Sequence, residues 1–299
     1  MPIGVLSAAQ AGKTSLTHTI QIQLRSGLVE GKDAGIEAIC GVRIMQVEVR
    51  GKALSIEKQG QGEPVVLLHG LGSTGNVWEP QVRALADRFT LVRYDLEGAG
   101  RSPYAGPLSI DGWVDDLAAI LDLHGMVKAR LVGHSLGTLI LQHFAAKHPQ
   151  RVEKLVFIGV NRAPPEARRQ AIRERVAKVR AEGIDAIVEA IVKGGLSPHS
   201  FESKPEIVAF VREMLTRQPT EGYARSCEAM AAAVAADVSG IRAPVLLIAG
   251  RDDAISPVAN SEGLAADLAD ARVQVIEQCG HWHPIEQPAA ISQALRAFL

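Results

Sequence analysis

The sequence predicts an α/β protein: a mostly parallel, eight-stranded sheet with helices on both faces and a helical insertion past its middle. Three observations carry this reading. Short continuous apolar runs recur along the chain, the pattern of strands buried on both faces. Segments with apolar residues at helical spacing lie between most of them. The alternation then stops between about residues 161 and 240, where helix-like segments follow one another.

The first strands form a hairpin. Met45, Val47 and Val49 alternate with polar neighbours, Gly51 and Lys52 make a turn, and Leu54 and Ile56 resume the alternation. After the Gly60-Gln61-Gly62-Glu63-Pro64 break, residues 65–68 form a continuous apolar run, and five further, largely apolar runs follow at 90–94, 129–132, 155–160, 245–249 and 273–276. Trp113, Leu117, Ile120 and Leu121 share one helical face, as do Leu136, Leu139, Ile140 and Phe144. Sequential strands joined by such helices build a parallel sheet through right-handed crossovers. In the insertion, helices are predicted at 164–182, 184–192, 204–217 and 220–237, punctuated by Gly183, Gly194-Gly195, Pro205 and Pro219.

Length and composition bound the function. The 299 residues allow a large core, and 47% hydrophobic against 22% charged residues is ordinary for a globular chain, which excludes disorder and collagen-like repetition. The 32 Lys and Arg balance 33 Asp and Glu, so the basic excess that a nucleic-acid or anionic-membrane binder needs is missing. Cys40, Cys227 and Cys279 are far apart and make no C-x-x-C, which points to a reducing, cytoplasmic setting and not to a disulfide framework or zinc ribbon. No run approaches the 18 or so apolar residues of a spanning helix. Residues 1–44 are expected to be an extension to the fold, poorly ordered or added by an upstream start before Met45. The acid-free first 29 residues keep an organelle transit peptide as the alternative. Ala11-Gly12-Lys13-Thr14 has Ser7 where a phosphate-binding loop needs glycine, so that match fails.

The chemistry centres on Gly133-His134-Ser135-Leu136-Gly137, a G-x-S-x-G set between a strand and a helix. A serine on so sharp a turn has a strained backbone, and the flanking glycines let the chain pack while the hydroxyl projects from the sheet. Serine is a poor nucleophile at neutral pH and needs a histidine held in one tautomer by a carboxylate. Gly250-Arg251-Asp252-Asp253 and Gly280-His281 both follow apolar strands, so they reach the same carboxyl edge of the sheet, where open α/β sheets bind ligands. Asp253 is favoured over Asp252 for the carboxylate, and His281 over His283 for the base. His134 reads as a packing neighbour, and Trp78, Trp282 and Phe144 as core or wall. An acyl-transfer oxyanion also needs N–H donors, expected from Leu136, directly after the serine, and from Leu71 in the His69-Gly70-Leu71-Gly72 loop.

Two rival motifs exist. Residues 70–75 satisfy G-x-G-x-x-G, with Asp95 placed 20 residues on as a dinucleotide fold would place its ribose acid. Two strands precede this motif, however, and a nucleotide reading leaves Ser135, Asp253 and His281 without a role. His281-Trp282-His283 and His143-x4-His148 could suggest a metal, but no H-E-x-x-H or thiolate set accompanies them. Neither a cofactor nor a metal is therefore expected.

With these segments in place the chain resembles the α/β-hydrolase superfamily from Met45 to Leu299. The resemblance rests on residues 67–72, 95–102, 133–137 and 250–257, and on Gly280-His281 with Glu286 and Pro288. It implies a hydrolase core at 45–160 and 241–299, a helical cap at 161–240, and a Ser135, Asp253, His281 triad with Leu71 and Leu136 in the oxyanion hole. Residues 219–224 with Cys227 and Ala229 are similar to the cap helix of 3-oxoadipate enol-lactonases, although 229–236 is alanine-rich where that helix is ordinarily acidic. The implied partner is a small-molecule ester or lactone, with carboxylesterases as the neighbouring class and no nucleic acid or membrane. Meta-cleavage carbon–carbon hydrolases and cofactor-free haloperoxidases share the triad and stay open, as does a non-catalytic member of the fold. Oligomeric state is left open. Serine at 135 disfavours the dehalogenases and epoxide hydrolases, which use aspartate there. Seven basic residues between 162 and 180 face two glutamates; such a run is ordinarily a solvated helix face, and its functional alternative is an arginine that meets a substrate carboxylate.

Overall fold

The computed structural model describes residues 43–299; the extension expected at 1–44 lies almost wholly outside them, as does Cys40. In chain order the elements are β1 (Arg43–Val49), β2 (Lys52–Gln59), β3 (Glu63–Leu68), α1 (Glu79–Leu85), β4 (Phe89–Tyr94), α2 (Ile110–Leu123), β5 (Ala129–His134), α3 (Leu136–Lys147) and β6 (Val152–Ile158). Then come α4 (Glu166–Glu182), α5 (Asp185–Gly195), α6 (Pro198–Ser203), α7 (Pro205–Thr216) and α8 (Thr220–Ala232). The chain closes with β7 (Val245–Gly250), α9 (Val258–Ala266), β8 (Ala271–Ile276), α10 (His283–Glu286) and α11 (Pro288–Phe298). The eight strands form one sheet in the order β1-β2-β4-β3-β5-β6-β7-β8. Pairing is antiparallel for β1 with β2 and for β2 with β4, and parallel elsewhere.

The apolar runs are continuous because both faces of the sheet are covered. Val66 and Leu68 point into the cluster containing Trp113, Leu139 and Phe144, while their neighbours Val65 and Leu67 join the opposite cluster with Trp78, Leu85 and Leu295. β8 lies at an edge, and most of its residues are partly exposed, in keeping with its mixed composition. No strand interrupts α4 to α8 among the described residues.

The predicted helices differ from the observed ones at two places. The 220–237 segment stops at Ala232, and Ala233 is extended at φ −60°, ψ 140°. Arg169 of α4 reaches across to donate to the Ala231 carbonyl and, at 2.7 Å, to that of Ala233, so a distant guanidinium caps α8 where the alanine run would have continued. α6 was not foreseen; Ser197 opens it by accepting from the Ser200 N–H at 3.1 Å, with Pro198 in the first turn.

Candidate active site

Ser135 sits between β5 and α3 at φ 52°, ψ −115°, a conformation that costs a residue with a Cβ on the order of 1–3 kcal/mol. Its N–H donates to the Ile158 carbonyl at 2.9 Å, which ties the turn to β6. The flanking glycines are required by close approach: a methyl at Gly137 would lie 2.6 Å from the Leu68 carbonyl oxygen, and one at Gly133 would lie 2.7 Å from the Gly137 backbone.

The three residues proposed from sequence meet here. His281 Nε2 is 2.8 Å from Ser135 Oγ, and His281 Nδ1 is 2.9 Å from Asp253 Oδ2. The second oxygen of Asp253 accepts the N–H groups of Ile255 and Ser256 at 2.9 and 2.8 Å. Burial alone would raise the Asp253 pKa, but the charge and hydrogen bond of His281, then His283 and the Ser256 N–H, hold it well below the carboxylate range. Asp252, the rival by sequence, is exposed.

The rival base, His283, is fully buried on the far side of the carboxylate. One ring nitrogen is 2.8 Å from the His281 carbonyl and the other 3.6 Å from Asp253 Oδ2. His134 Nε2 is 2.7 Å from the same carbonyl. A carbonyl only accepts, so both histidines donate to it, which assigns His134 the Nε2–H and His283 the Nδ1–H tautomer. Burial pushes both pKa values down, His134 well below 6.5. One ligating nitrogen from each of His134, His281 and His283 falls within 4.8 Å of the others, the closest approach to a metal-binding set among the described residues. The hydrogen bonds of His281 are already made to Ser135 and Asp253, however, so a metal bound through its ring would displace one of them.

Leu71 borders the cavity over Ser135, and Leu136 opens α3, where backbone N–H groups lack intrahelical acceptors. The loop carrying Leu71 is fixed by His69, which is buried, donates through Nδ1 to the Gly70 carbonyl at 2.8 Å and accepts the Leu96 N–H at Nε2 at 2.9 Å. The acid of the G-x-G-x-x-G motif is engaged internally: Asp95 accepts from the N–H groups of Gly75 at 2.8 Å and Arg101 at 2.9 Å.

Sequence reasoning missed Asn161 and gave no role to Glu286. Asn161 Nδ2 donates to Ser135 Oγ at 3.2 Å, while its own N–H donates to Thr138 Oγ1 at 2.9 Å and its carbonyl accepts from Gln142 at 2.8 Å. Its only signal is a position just beyond the apolar run of β6. Glu286, quoted from sequence only as part of a motif, is buried and accepts the N–H groups of Ser197, Gly280 and Trp282 at 2.9, 3.1 and 2.9 Å.

The site opens into a cavity of about 620 Å³, bordered by Ser135, Asn161 and His281 on the sheet side and by Arg168, Arg175 and Tyr223 from α4 and α8. Trp282, read from sequence as core or wall, also borders it. Trp78 and Phe144 lie in the core.

The chain belongs to the α/β hydrolase fold family, whose pattern matches residues 63–189. A curated relative, 3-oxoadipate enol-lactonase 2 from Acinetobacter baylyi, is 31% identical over 251 residues, which cover 83% of this chain and 93% of that protein. Among solved structures, a malate-bound thermophilic esterase from Thermogutta terrifontis superposes with a TM-score of 0.80 at 30% identity, covering 85% of this chain and 96% of the other. The enol-lactonase from Burkholderia xenovorans LB400 gives 0.77 at 30% identity, covering 84% and 97%.

Proposed function

We propose that the protein hydrolyses a carboxylic ester or lactone through an acyl-enzyme on Ser135. The observation that carries this reading is the unbroken line from Asp253 through His281 to Ser135 Oγ, with hydrogen bonds of 2.9 and 2.8 Å, beneath a cavity large enough for a small substrate. The similarity to a lactonase and an esterase supports it.

His281 takes the Ser135 proton as Oγ attacks the carbonyl carbon, and Asp253 stabilises the imidazolium. The N–H groups of Leu71 and Leu136 hold the tetrahedral oxyanion, each stabilising it by roughly 2.7–4 kcal/mol. The carbon–oxygen bond to the leaving group breaks as His281 returns its proton to that oxygen. Water, deprotonated by His281, then attacks the acyl carbon, and the acid leaves with Ser135 restored. Asn161 fixes the Ser135 rotamer, and residues 161–240 act as the cap that walls the cavity.

Ser135→Ala is expected to abolish turnover while the folded protein is retained, and an active-site phosphonate is expected to label Ser135 alone. Wild-type ester hydrolysis by Ser135→Ala would overturn the assignment. A panel of enol-lactones, saturated lactones, aryl esters and vinylogous diketones then separates lactone, ester and carbon–carbon cleavage.

A further inference from the structure

The wall of the cavity carries charge that ester hydrolysis itself does not use. Four of the seven basic side chains between residues 162 and 180 have carboxylate partners. Arg162 pairs with Asp267 at 2.6 Å, Arg169 and Arg173 with Glu166 at 4.0 and 2.5 Å, and Arg180 with Glu221 and Glu228 at 2.9 and 2.6 Å. The remaining three, Arg168, Arg175 and Lys178, make no ion pair among the described residues, and all three border the cavity with Ser135 and His281. Their spacing of seven and three residues sets them along one face of α4, Arg168 and Arg175 about 10 Å apart along the axis.

Arg168 and Arg175 are half-buried, and Lys178 is exposed. Arg168 donates one N–H to the Ile255 carbonyl at 3.1 Å, and Arg175 lines the cavity with Tyr223, so each five-donor guanidinium keeps donors to spare. Burial disfavours the Arg168 cation, and the neighbouring charge of Arg175 adds to the effect. One anion on this wall, Glu174, accepts from Gln170 at 3.0 Å. Two half-buried like charges without a carboxylate in ion-pair contact are costly until an anion arrives, and a guanidinium grips a carboxylate through two parallel hydrogen bonds.

Building on the hydrolase reading above, we propose that Arg168, Arg175 and Lys178 form a carboxylate subsite, so that the ester or lactone cleaved at Ser135 carries a second, ionised acid group away from the reacting carbonyl. The two arginines hold that group, and Lys178 adds attraction from the cavity's more exposed flank.

The test compares kcat/KM for mono-p-nitrophenyl glutarate, an anion, with that for neutral p-nitrophenyl valerate. The wild type is expected to prefer the anion, and Arg168→Gln and Arg175→Gln each to lower the anionic-to-neutral ratio roughly tenfold or more. Arg175→Lys, which keeps the charge, guards against a folding defect by retaining part of the preference. A wild-type ratio near one, or a ratio unmoved by the substitutions, overturns the subsite. A second arm needs no turnover: glutarate is titrated calorimetrically into Ser135→Ala, with and without both arginine substitutions. Binding that the arginine changes remove supports the subsite even where neither ester is hydrolysed, an outcome that instead sinks the hydrolase reading. No binding of glutarate, or binding indifferent to the arginines, overturns the subsite alone.

Discussion

Asp253 engages both of its oxygens, one on His281 and one on two backbone N–H groups, so the carboxylate holds its ring partner at a fixed angle. Asp253→Asn keeps the volume but presents an amide that favours the wrong imidazole tautomer; kcat is expected to fall on the order of 10⁴-fold with the fold intact, read by steady-state kinetics beside a thermal melt. Unchanged kcat would remove Asp253 from the mechanism. The cysteines give a second expectation at this scale. Cys227 is fully buried, and burial pushes its thiol up to about 12; Cys279 is equally buried and shifted the same way. At pH 8 iodoacetamide should therefore alkylate neither until denaturant is added, as peptide mapping would show, because the thiolate is the nucleophile. The residues that meet at Ser135 were legible because each follows an apolar strand. Asn161 was not, since an asparagine after a strand carries no pattern to distinguish it from a loop residue.

The turn from β5 to α3 tolerates little added volume. In Gly137→Ala the new methyl would meet the Leu68 and His69 carbonyl oxygens at 2.6 and 3.0 Å, and backbone cannot swing aside as a side chain can. Overpacking of this kind costs about 1–3 kcal/mol, so the urea midpoint should drop and turnover fall with it. A variant with wild-type midpoint and rate would show that the turn has slack. Strands and core helices were readable because burial on both faces leaves long apolar runs and helical spacing. The end of α8 was not: Arg169, 62 residues away from Ala231 in sequence, sets it, and the local alanine run argues for continuation.

For the whole molecule, buried histidines govern the response to acid. His69, His134 and His283 are all buried, and desolvation lowers each below 6.5. Their unfolded forms therefore bind protons first as the pH falls, so stability is full above about pH 6.5 and declines below it. Denaturant midpoints measured from pH 7.5 to 5 should fall steadily; a flat profile across that window would contradict the neutral, buried state of these rings. None of this was visible in a net charge near zero, because burial, which sequence reports only as an average, decides which histidines titrate.

Glu286 gathers one amide from the helical insertion and two from the loop of His281, and the His281 N–H itself donates to the Gly195 carbonyl at 2.6 Å. The segment that walls the cavity and the loop that carries the proposed base are thus seated by the same acceptors. Undocking the insertion would strip the His281 N–H of its acceptor and Glu286 of one of its three amides, leaving the imidazole tethered by Asp253 and the remaining two. A loosened insertion is therefore expected to be felt at the ring of His281 as well as at the cavity wall.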